Sequence, residues 1–213
     1  LTVHDMIFKL FPEHQKRLNY WYLNLAMPLF CRRATAIIAV SEATRQDIVA
    51  HYQVDPAKIH VVYEAAADHF RPPAAEDIAR VRQAYGLPQR FLLHISTIEP
   101  RKNLDRLLEA VQRLREGKED VQLVIVGSKG WLYQSFFQRL EELALGDAVW
   151  LSGYVPDADL PAIYSGARLV AVPSLYEGFG LPVLEAMTAG VPVVASSSTS
   201  IPEVAGNAAE YVD

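Results

Sequence analysis

The sequence predicts an α/β protein: a doubly wound, Rossmann-like parallel sheet in its C-terminal part, preceded by the tail of a second Rossmann-like domain. Three observations predict it. From residue 90 onward, strand-like apolar runs alternate with helical patterns through short connections, as in a parallel sheet covered on both faces. The runs LVIV and VPVV within 121–127 and 191–196 are apolar almost without interruption, which suits strands buried on both sides. Before residue 90 the strand-like runs are few, too few for a complete α/β domain in about seventy residues.

The elements follow in order. TVHDM (2–6) reads as the exit from a strand, TAIIAVS (35–41) as a strand, and Ser41 as the cap of a helix EATRQDIVAHY (42–52). HVVY (60–63) is a further strand, and AAADHFRPPAAED (65–77), rich in alanine and proline, reads as a linker. A boundary near residue 72 divides the chain into 1–72 and 73–213. FLLHIST (91–97), VQLVIVG (121–127), VWLSG (149–153), RLVAVPS (168–174) and VPVVAS (191–196) are strands. Between them KNLDRLLEAVQRLRE (102–116), WLYQSFFQRLEELAL (131–145), PDADLPAIYSGA (156–167) and LPVLEAMTA (181–189) are helices; the first carries Leu104, Leu107, Leu108, Val111 and Leu114 at helical spacing. The chain begins with Leu1 rather than Met and stops at a strand-like AAEYVD, so an incomplete protein is expected.

Composition narrows the function. A net charge of −5 argues against general nucleic-acid binding, which needs a basic footprint. The single Cys31 excludes an internal disulfide and a cysteine-based zinc cluster and fits a reducing cytosol, so a cytoplasmic location is expected. LNYWYLNLAMPLFC (18–31) is too short and too interrupted by Asn19, Asn24 and Pro28 to span a membrane. Flanked by Lys16, Arg17, Arg32 and Arg33, it reads either as a helix packed at a domain interface, the commoner use of an aromatic face, or as a helix on the inner face of an anionic membrane.

Ligands of such sheets bind at the carboxyl ends of the strands, which makes the loops after residues 96, 127, 153, 174 and 196 the candidate walls. EGFGLPVLE (177–185) follows a strand there. Its glycines, Gly178 and Gly180, let backbone approach a ligand closely, and Pro182 suits the first turn of a helix. The free N–H groups of that turn favour an anion such as phosphate. Glu185 can accept from two ribose hydroxyls and Glu177 from a second polyhydroxyl group; equally, Glu185 could simply complement the helix dipole and Glu177 be solvated. In STIEPRKN (96–103), Arg101 and Lys102 are unfavourable at a helix start unless something anionic meets them, and a diphosphate would do so; solvated surface cations are the alternative. His4-Asp5 is a lone histidine that spacing cannot raise above a surface residue. Asp157 and Asp159 read as an N-cap and a first-turn acid rather than a metal pair, and no metal site is expected.

Together these residues resemble the retaining GT-B glycosyltransferases, in the large group 1 family of mannosyl- and glucosyltransferases. The resemblance is carried by TVHDMIFKLFPE, IIAVSEATRQDI, KIHVVYEAA, IEPRKNLDRLLEA, VIVGSKGW, LSGYVPDADLPAIYSGA, PSLYEGFGLPVLEAMTAGVPVVAS and SIPEVAG. It implies a GT-B-like enzyme with its site in a cleft, residues 1–72 being the remnant of the acceptor-side domain with the linker, and 73–213 the nucleotide-sugar-binding domain without its final helix. It implies that Glu185 holds the ribose, Lys102 contacts the diphosphate, Glu177 meets the donor sugar with the loop amides near Phe179 and Gly180, and Leu181 after them, beside it, and His4 stands near donor sugar and acceptor. The implied partners are a nucleotide sugar, GDP-mannose ahead of UDP- and ADP-sugars, and a saccharide or lipid-linked acceptor, with no metal or other cofactor. The family's frequent Gly-Arg is here Ser96-Thr97, leaving Arg101 as its replacement, and its Asn-Gly is here Glu64-Ala65. A non-catalytic nucleotide-binding or scaffolding module and a sugar-nucleotide epimerase are the alternatives.

Overall fold

The computed structural model describes residues 1–14 and 17–213; Lys16, noted above as a flanking cation, lies outside the described residues. In chain order the elements are β1 (Thr2–Val3), α1 (Ile7–Leu10), α2 (Arg17–Arg33), β2 (Ile37–Ala39), α3 (Glu42–Tyr52), β3 (Ile59–Val61) and α4 (Ala75–Tyr85). There follow β4 (Leu92–Ile95), α5 (Leu104–Glu116), β5 (Leu123–Val126), α6 (Gln134–Glu142), β6 (Val149–Gly153), α7 (Leu160–Gly166) and β7 (Leu169–Val172). The last are α8 (Leu181–Thr188), β8 (Val193–Ser196), α9 (Ile201–Ala205) and β9 (Ala209–Val212).

The first three strands form one parallel sheet in the order β1-β2-β3. Ile37, Ala39 and Ile59 face a core with Met6, Phe8, Cys31 and Ile48, while Ile38 and His60 are exposed, the alternation a pleated strand imposes. Ser41 caps α3, accepting from Thr44 N at 3.0 Å. Helix α2 turns Leu23, Met27 and Cys31, one turn apart, into this core. The same periodicity points Leu18, Trp21, Tyr22, Leu25 and Leu29 outward, where they are exposed. The core of the three-stranded sheet thus takes the Leu23, Met27 and Cys31 side of α2 and leaves this side uncovered by the described residues. No helix among the described residues is long and apolar enough to cross a membrane.

The other six strands are all parallel, in the order β6-β5-β4-β7-β8-β9. Leu123 and Ile125 of β5 face one core with Leu104, Leu108 and Val111 of α5, while Val124 and Val126 face the other with α4, α7 and α8. A strand buried on both faces has no position left for a polar residue, hence the unbroken run LVIV. Strand order reverses between β4 and β7, so the loops that follow them, 96–103 and 173–180, open a crevice at the carboxyl edge.

Several boundaries differ from the sequence reading. The segment read as a linker to residue 77 becomes helix at Ala75, and Phe70 and Ala66 already pack in the second core. Helix α5 starts at Leu104 rather than 102 because Asn103 takes a left-handed backbone (φ 56) after a 3₁₀ turn, Pro100–Lys102. Helix α6 is shorter than expected, and Leu132 before it has φ 57. Helix α7 starts at Leu160, with Asp159 instead of Asp157 at the cap position. The Asp159 carboxylate accepts from Tyr85 (2.8 Å) and Arg80 (3.3 Å), not from helix backbone.

Candidate functional site

At the switch-point crevice the loop after β4 brings Arg101 and Lys102 against the loop after β7. Glu177, 7% exposed, accepts from Lys102 Nζ at 2.6 Å and Ser174 Oγ at 2.7 Å on Oε1, and from Arg101 at 3.0 Å on Oε2. Arg101 also pairs through Nε with Glu99 at 2.6 Å. Glu177 is therefore not solvated, and the two cations of the helix start are met by two carboxylates of the chain itself. Burial pushes the Glu177 carboxyl up, but Lys102 and Arg101 outweigh it and hold the group below the usual carboxylate range. Burial likewise draws the Lys102 ammonium down, against the pull of Glu177. Nζ has three N–H donors, and one is used among the described residues. A carboxylate offers about four acceptor positions, of which Glu177 uses three.

Beneath this cluster lies His94, 1% exposed, a residue that the sequence did not single out. Its Nδ1 is 2.7 Å from the Ala171 carbonyl, which can only accept, so Nδ1 carries the proton and Nε2 accepts from Ser96 Oγ at 2.7 Å. Burial pushes its pKa down to about 4.

The glycine loop is held from behind by its carbonyls. Thr199 Oγ1 bridges both Glu177 N and Glu177 O at 3.1 Å. Ser200 Oγ lies 2.9 Å from Glu177 O and 2.8 Å from Phe179 O, and Ser41 donates to Gly178 O at 2.6 Å. Thr199 adopts φ 53 to do this, uncommon for a β-branched residue. The N–H groups of Gly178, Phe179, Gly180 and Leu181 have no hydrogen-bond partner among the described residues, and they lead into α8, with Gly180 at the cap position and Leu181 the first helical residue. Such a row of free donors is suited to an anion. Gly178 lies so close to the His4 carbonyl that a Cβ would collide with it, and Gly180 has φ 103; neither position admits another residue without strain. Phe179 is buried, its ring 6.1 Å from that of Tyr63.

Glu185 stands apart from this cluster, further along α8. Its Oε2 accepts from Tyr164 OH at 2.6 Å, and burial pushes its carboxyl up against the opposing effect of that bond. His4 is exposed, with Nδ1 donating to Glu64 at 2.8 Å. The structure thus joins Glu177, Arg101 and Lys102 in one network, sets Gly178 against the His4 backbone, and places Glu185 in a separate environment. Ser174, Thr199, Ser200 and Tyr164 were not found from the sequence. Single hydroxyls in loops carry no periodic signal, and Tyr164 sits in a helix whose apolar neighbours mask it. Among the described residues no group of three or more His, Cys, Asp or Glu is arranged to hold a metal ion.

Comparison with known proteins joins the two halves. Residues 77–211 match the family model described as glycosyl transferases group 1, and residues 1–66 match that of glycosyltransferase family 4. The chain is 36% identical over its whole length to O-antigen chain mannosyltransferase B of Escherichia coli, of which it covers 56%. It is 34% identical over 82% of its length to an MMP alpha-(1->4)-mannosyltransferase of Mycolicibacterium hassiacum, of which it covers 40%. The chain thus spans about half or less of these relatives. Among solved structures, Anabaena HepE in complex with UDP-glucose superposes with a TM-score of 0.82 at 25% identity, covering 99% of this chain and 57% of that one. WaaG, a glycosyltransferase involved in lipopolysaccharide biosynthesis, gives 0.82 at 20% identity over 99% of this chain and 60% of its own, a likeness of fold. With a model match over well over half of its residues and a parallel, two-sheet GT-B architecture, the chain belongs to the group 1 glycosyltransferase family.

Proposed function

We propose that the protein to which this chain belongs is a retaining hexosyltransferase that moves a mannosyl unit from a nucleotide sugar to an acceptor hydroxyl. The carrying observation is the row of free N–H groups from Gly178 to Leu181, set between the Lys102–Glu177–Arg101 network and Glu185. These groups fit three parts of one ligand. Glu185 takes the ribose hydroxyls, the amides and Lys102 take the diphosphate, and Glu177 has an acceptor position left for a sugar hydroxyl. In the reaction the anomeric C–O bond to the diphosphate breaks, and the acceptor oxygen bonds to the anomeric carbon on the same face. The acceptor proton passes to the departing diphosphate. Lys102 and the amides stabilise the negative charge as it develops, which is where preorganised donors act most strongly. His4, with Nδ1 turned to Glu64, has Nε2 as its other hydrogen-bonding atom, for a hydroxyl of donor or acceptor. The two mannosyltransferase relatives support a mannosyl donor, with GDP-mannose first; the UDP-glucose bound to HepE keeps UDP-sugars as the competing class.

The outward stripe of α2 supports a membrane-side acceptor. Leu18, Trp21, Tyr22, Leu25 and Leu29 are exposed, Arg32 and Arg33 at the end of the helix are exposed, and the helix contains no acid. An apolar face with aromatics and terminal arginines suits the surface of an anionic bilayer. Trp21→Glu with Leu25→Glu is expected to abolish sedimentation of the full-length protein with phosphatidylglycerol vesicles while leaving its thermal midpoint unchanged.

Calorimetric titration of GDP, UDP and ADP tests the donor site. Preferential binding of one nucleotide, weakened at least tenfold by Glu185→Ala, is the expected result. A folded full-length protein that binds none of them would favour the scaffolding alternative.

A further inference from the structure

Helix α3 belongs to the three-stranded sheet, yet most of its first two turns is occupied by groups from the other sheet. Glu203 of α9 accepts from Glu42 N at 2.6 Å and from Ala43 N at 3.3 Å. Those are two of the donors that every helix start leaves unpaired, satisfied here by a carboxylate 160 residues away. The same Glu203 carboxylate pushes the Tyr63 phenol above its ordinary value. In the opposite direction, Ser41 Oγ and Thr44 Oγ1 both donate to Gly178 O, at 2.6 and 3.1 Å. One turn on, Asp47 Oδ2 accepts from Tyr176 OH at 2.8 Å, and that hydroxyl accepts in turn from Met6 N at 3.1 Å. Ser41, Thr44 and Asp47 are spaced three apart, so they share one face of α3, and that face lies along residues 176–178. Behind the loop, Ser200 at the start of α9 holds the carbonyls of Glu177 and Phe179. Helix α9 thus grips the loop with Ser200 and grips α3 with Glu203.

We propose that Thr44, Asp47, Tyr176 and Glu203 are positioning residues that clamp the glycine loop between the two sheets, so that the loop is set for transfer only when α3 is docked on it. These residues act through the loop backbone and do not themselves reach the ligand groups named above. Several features bear on this. Each loop carbonyl from Glu177 to Phe179 ends on a hydroxyl, and each hydroxyl is anchored in α3 or at the start of α9. Gly178 is the residue whose backbone faces His4, so any shift of α3 or of the His4–Met6 segment moves the loop directly. Tyr176 is buried and packs against Phe11 with ring centroids 6.0 Å apart. Burial pushes its phenol well above its ordinary value, which keeps it a donor to Asp47 at every working pH.

The kinetic consequence rests on the donor-site reading above; the mechanical one does not. The test uses the full-length protein with Tyr176→Phe, Asp47→Asn, Thr44→Val and the pair Glu203→Ala and Glu203→Gln. Hydrogen exchange of the peptide covering 176–180 is measured beside transfer kinetics and nucleotide affinity. The expected result is at least tenfold faster exchange of that peptide in Tyr176→Phe and Glu203→Ala. A displacement of about 1 Å at a catalytic loop costs up to about 100-fold in rate, so kcat is expected to fall 10- to 100-fold. Nucleotide affinity should change less than threefold, because Glu185 and Lys102 are untouched. Glu203→Gln, whose side-chain oxygen still accepts from the α3 amides, should recover most of both losses. Unchanged exchange, or kcat within twofold of wild type in both Tyr176→Phe and Glu203→Ala, would overturn the clamp. If the unaltered protein binds no nucleotide and transfers nothing, the functional reading fails, and the exchange measurement still decides whether the clamp exists.

Discussion

Glu177 and Glu185 are the same residue type at the two ends of one nine-residue segment, and they live in opposite electrostatic surroundings. Glu177 is buried among Lys102, Arg101 and Ser174, and its carboxyl is held below the ordinary range although burial alone would push it up. Glu185 has a neutral phenol, Tyr164, as its bonded partner, and burial pushes its carboxyl up. The first is an organising group whose charge is already compensated. The second is an acceptor that no cation among the described residues satisfies within hydrogen-bond distance, and such a group is better suited to receive hydroxyls from outside. Strand–loop–helix geometry produces the contrast. The loop residue falls beside the β4–α5 turn at the switch point, while the helix residue rides along α8 towards α7.

The largest expected effect comes from breaking the first environment. Glu177→Gln leaves Lys102 buried without its counter-charge, and removing one partner of a buried pair costs about 3–5 kcal/mol. Urea unfolding of the chain should register a loss of that size. The double variant Glu177→Leu with Lys102→Met should recover much of it, because replacing both partners of a buried pair by apolar groups is often close to neutral. Arg101 keeps Glu99 in that variant. A double variant no more stable than the single one would mean that Arg101, rather than Lys102, is the partner that matters.

How much of this was legible in the sequence depends on how each feature is encoded. The doubly wound sheet was readable because a strand buried on both faces must be apolar throughout, as LVIV is. Ser41 as the cap of α3 was readable because capping is local. Helix α4 was missed: it follows a proline-rich stretch and only Val81 within it is buried, so its apolar period is faint. Arg101 and Lys102 were read as cations awaiting a diphosphate, and the internal carboxylate that Lys102 meets, 75 residues away, could not be seen from spacing. The same holds for Glu203 at the start of α3 and for Tyr164 beside Glu185. Local rules identify which groups need a partner, and only the topology, by reversing between β4 and β7, supplies it.

The next effect, somewhat smaller, separates the two environments by pH. His94 lies under the Glu177 network with its pKa lowered from 6.5 to about 4. The unfolded chain binds that proton more readily, so the contribution of neutral His94 to stability is fully present above about 6.5 and is lost as pH falls through 4. The total is on the order of 3 kcal/mol. Glu177, with its carboxyl lowered, loses stability in the same direction as pH falls. Glu185, with its carboxyl raised, works the other way: the folded state gains relative stability as that group protonates. Unfolding free energies measured between pH 7 and pH 4 should therefore fall in the wild type and fall less steeply in His94→Asn, whose Nδ2 still donates to the Ala171 carbonyl. Equal slopes would place the acid sensitivity elsewhere.

The smallest effect on stability is expected at Glu185, and there stability and binding should part company. An ionised carboxylate held against its desolvation is a cost to the folded state, so Glu185→Gln, which can still accept from Tyr164, should leave the unfolding free energy within about 1 kcal/mol of wild type or raise it. If the site takes a nucleotide as proposed, the same change removes the charge that strengthens hydrogen bonds from ribose hydroxyls. Charge-assisted bonds are roughly twice as strong as neutral ones, so nucleotide affinity should fall about tenfold. Tyr164→Phe makes the complementary test. It deletes the phenol that uses one Glu185 oxygen and leaves the carboxylate in place, so affinity should hold or improve while stability declines by about 1 kcal/mol, the usual net worth of one hydrogen bond. Opposite signs from the two variants on affinity would identify Glu185 as the ligand acceptor. Losses of both affinity and stability in both would instead mean that the Tyr164–Glu185 bond is a structural pair, and that the contrast between the two glutamates is one of burial alone.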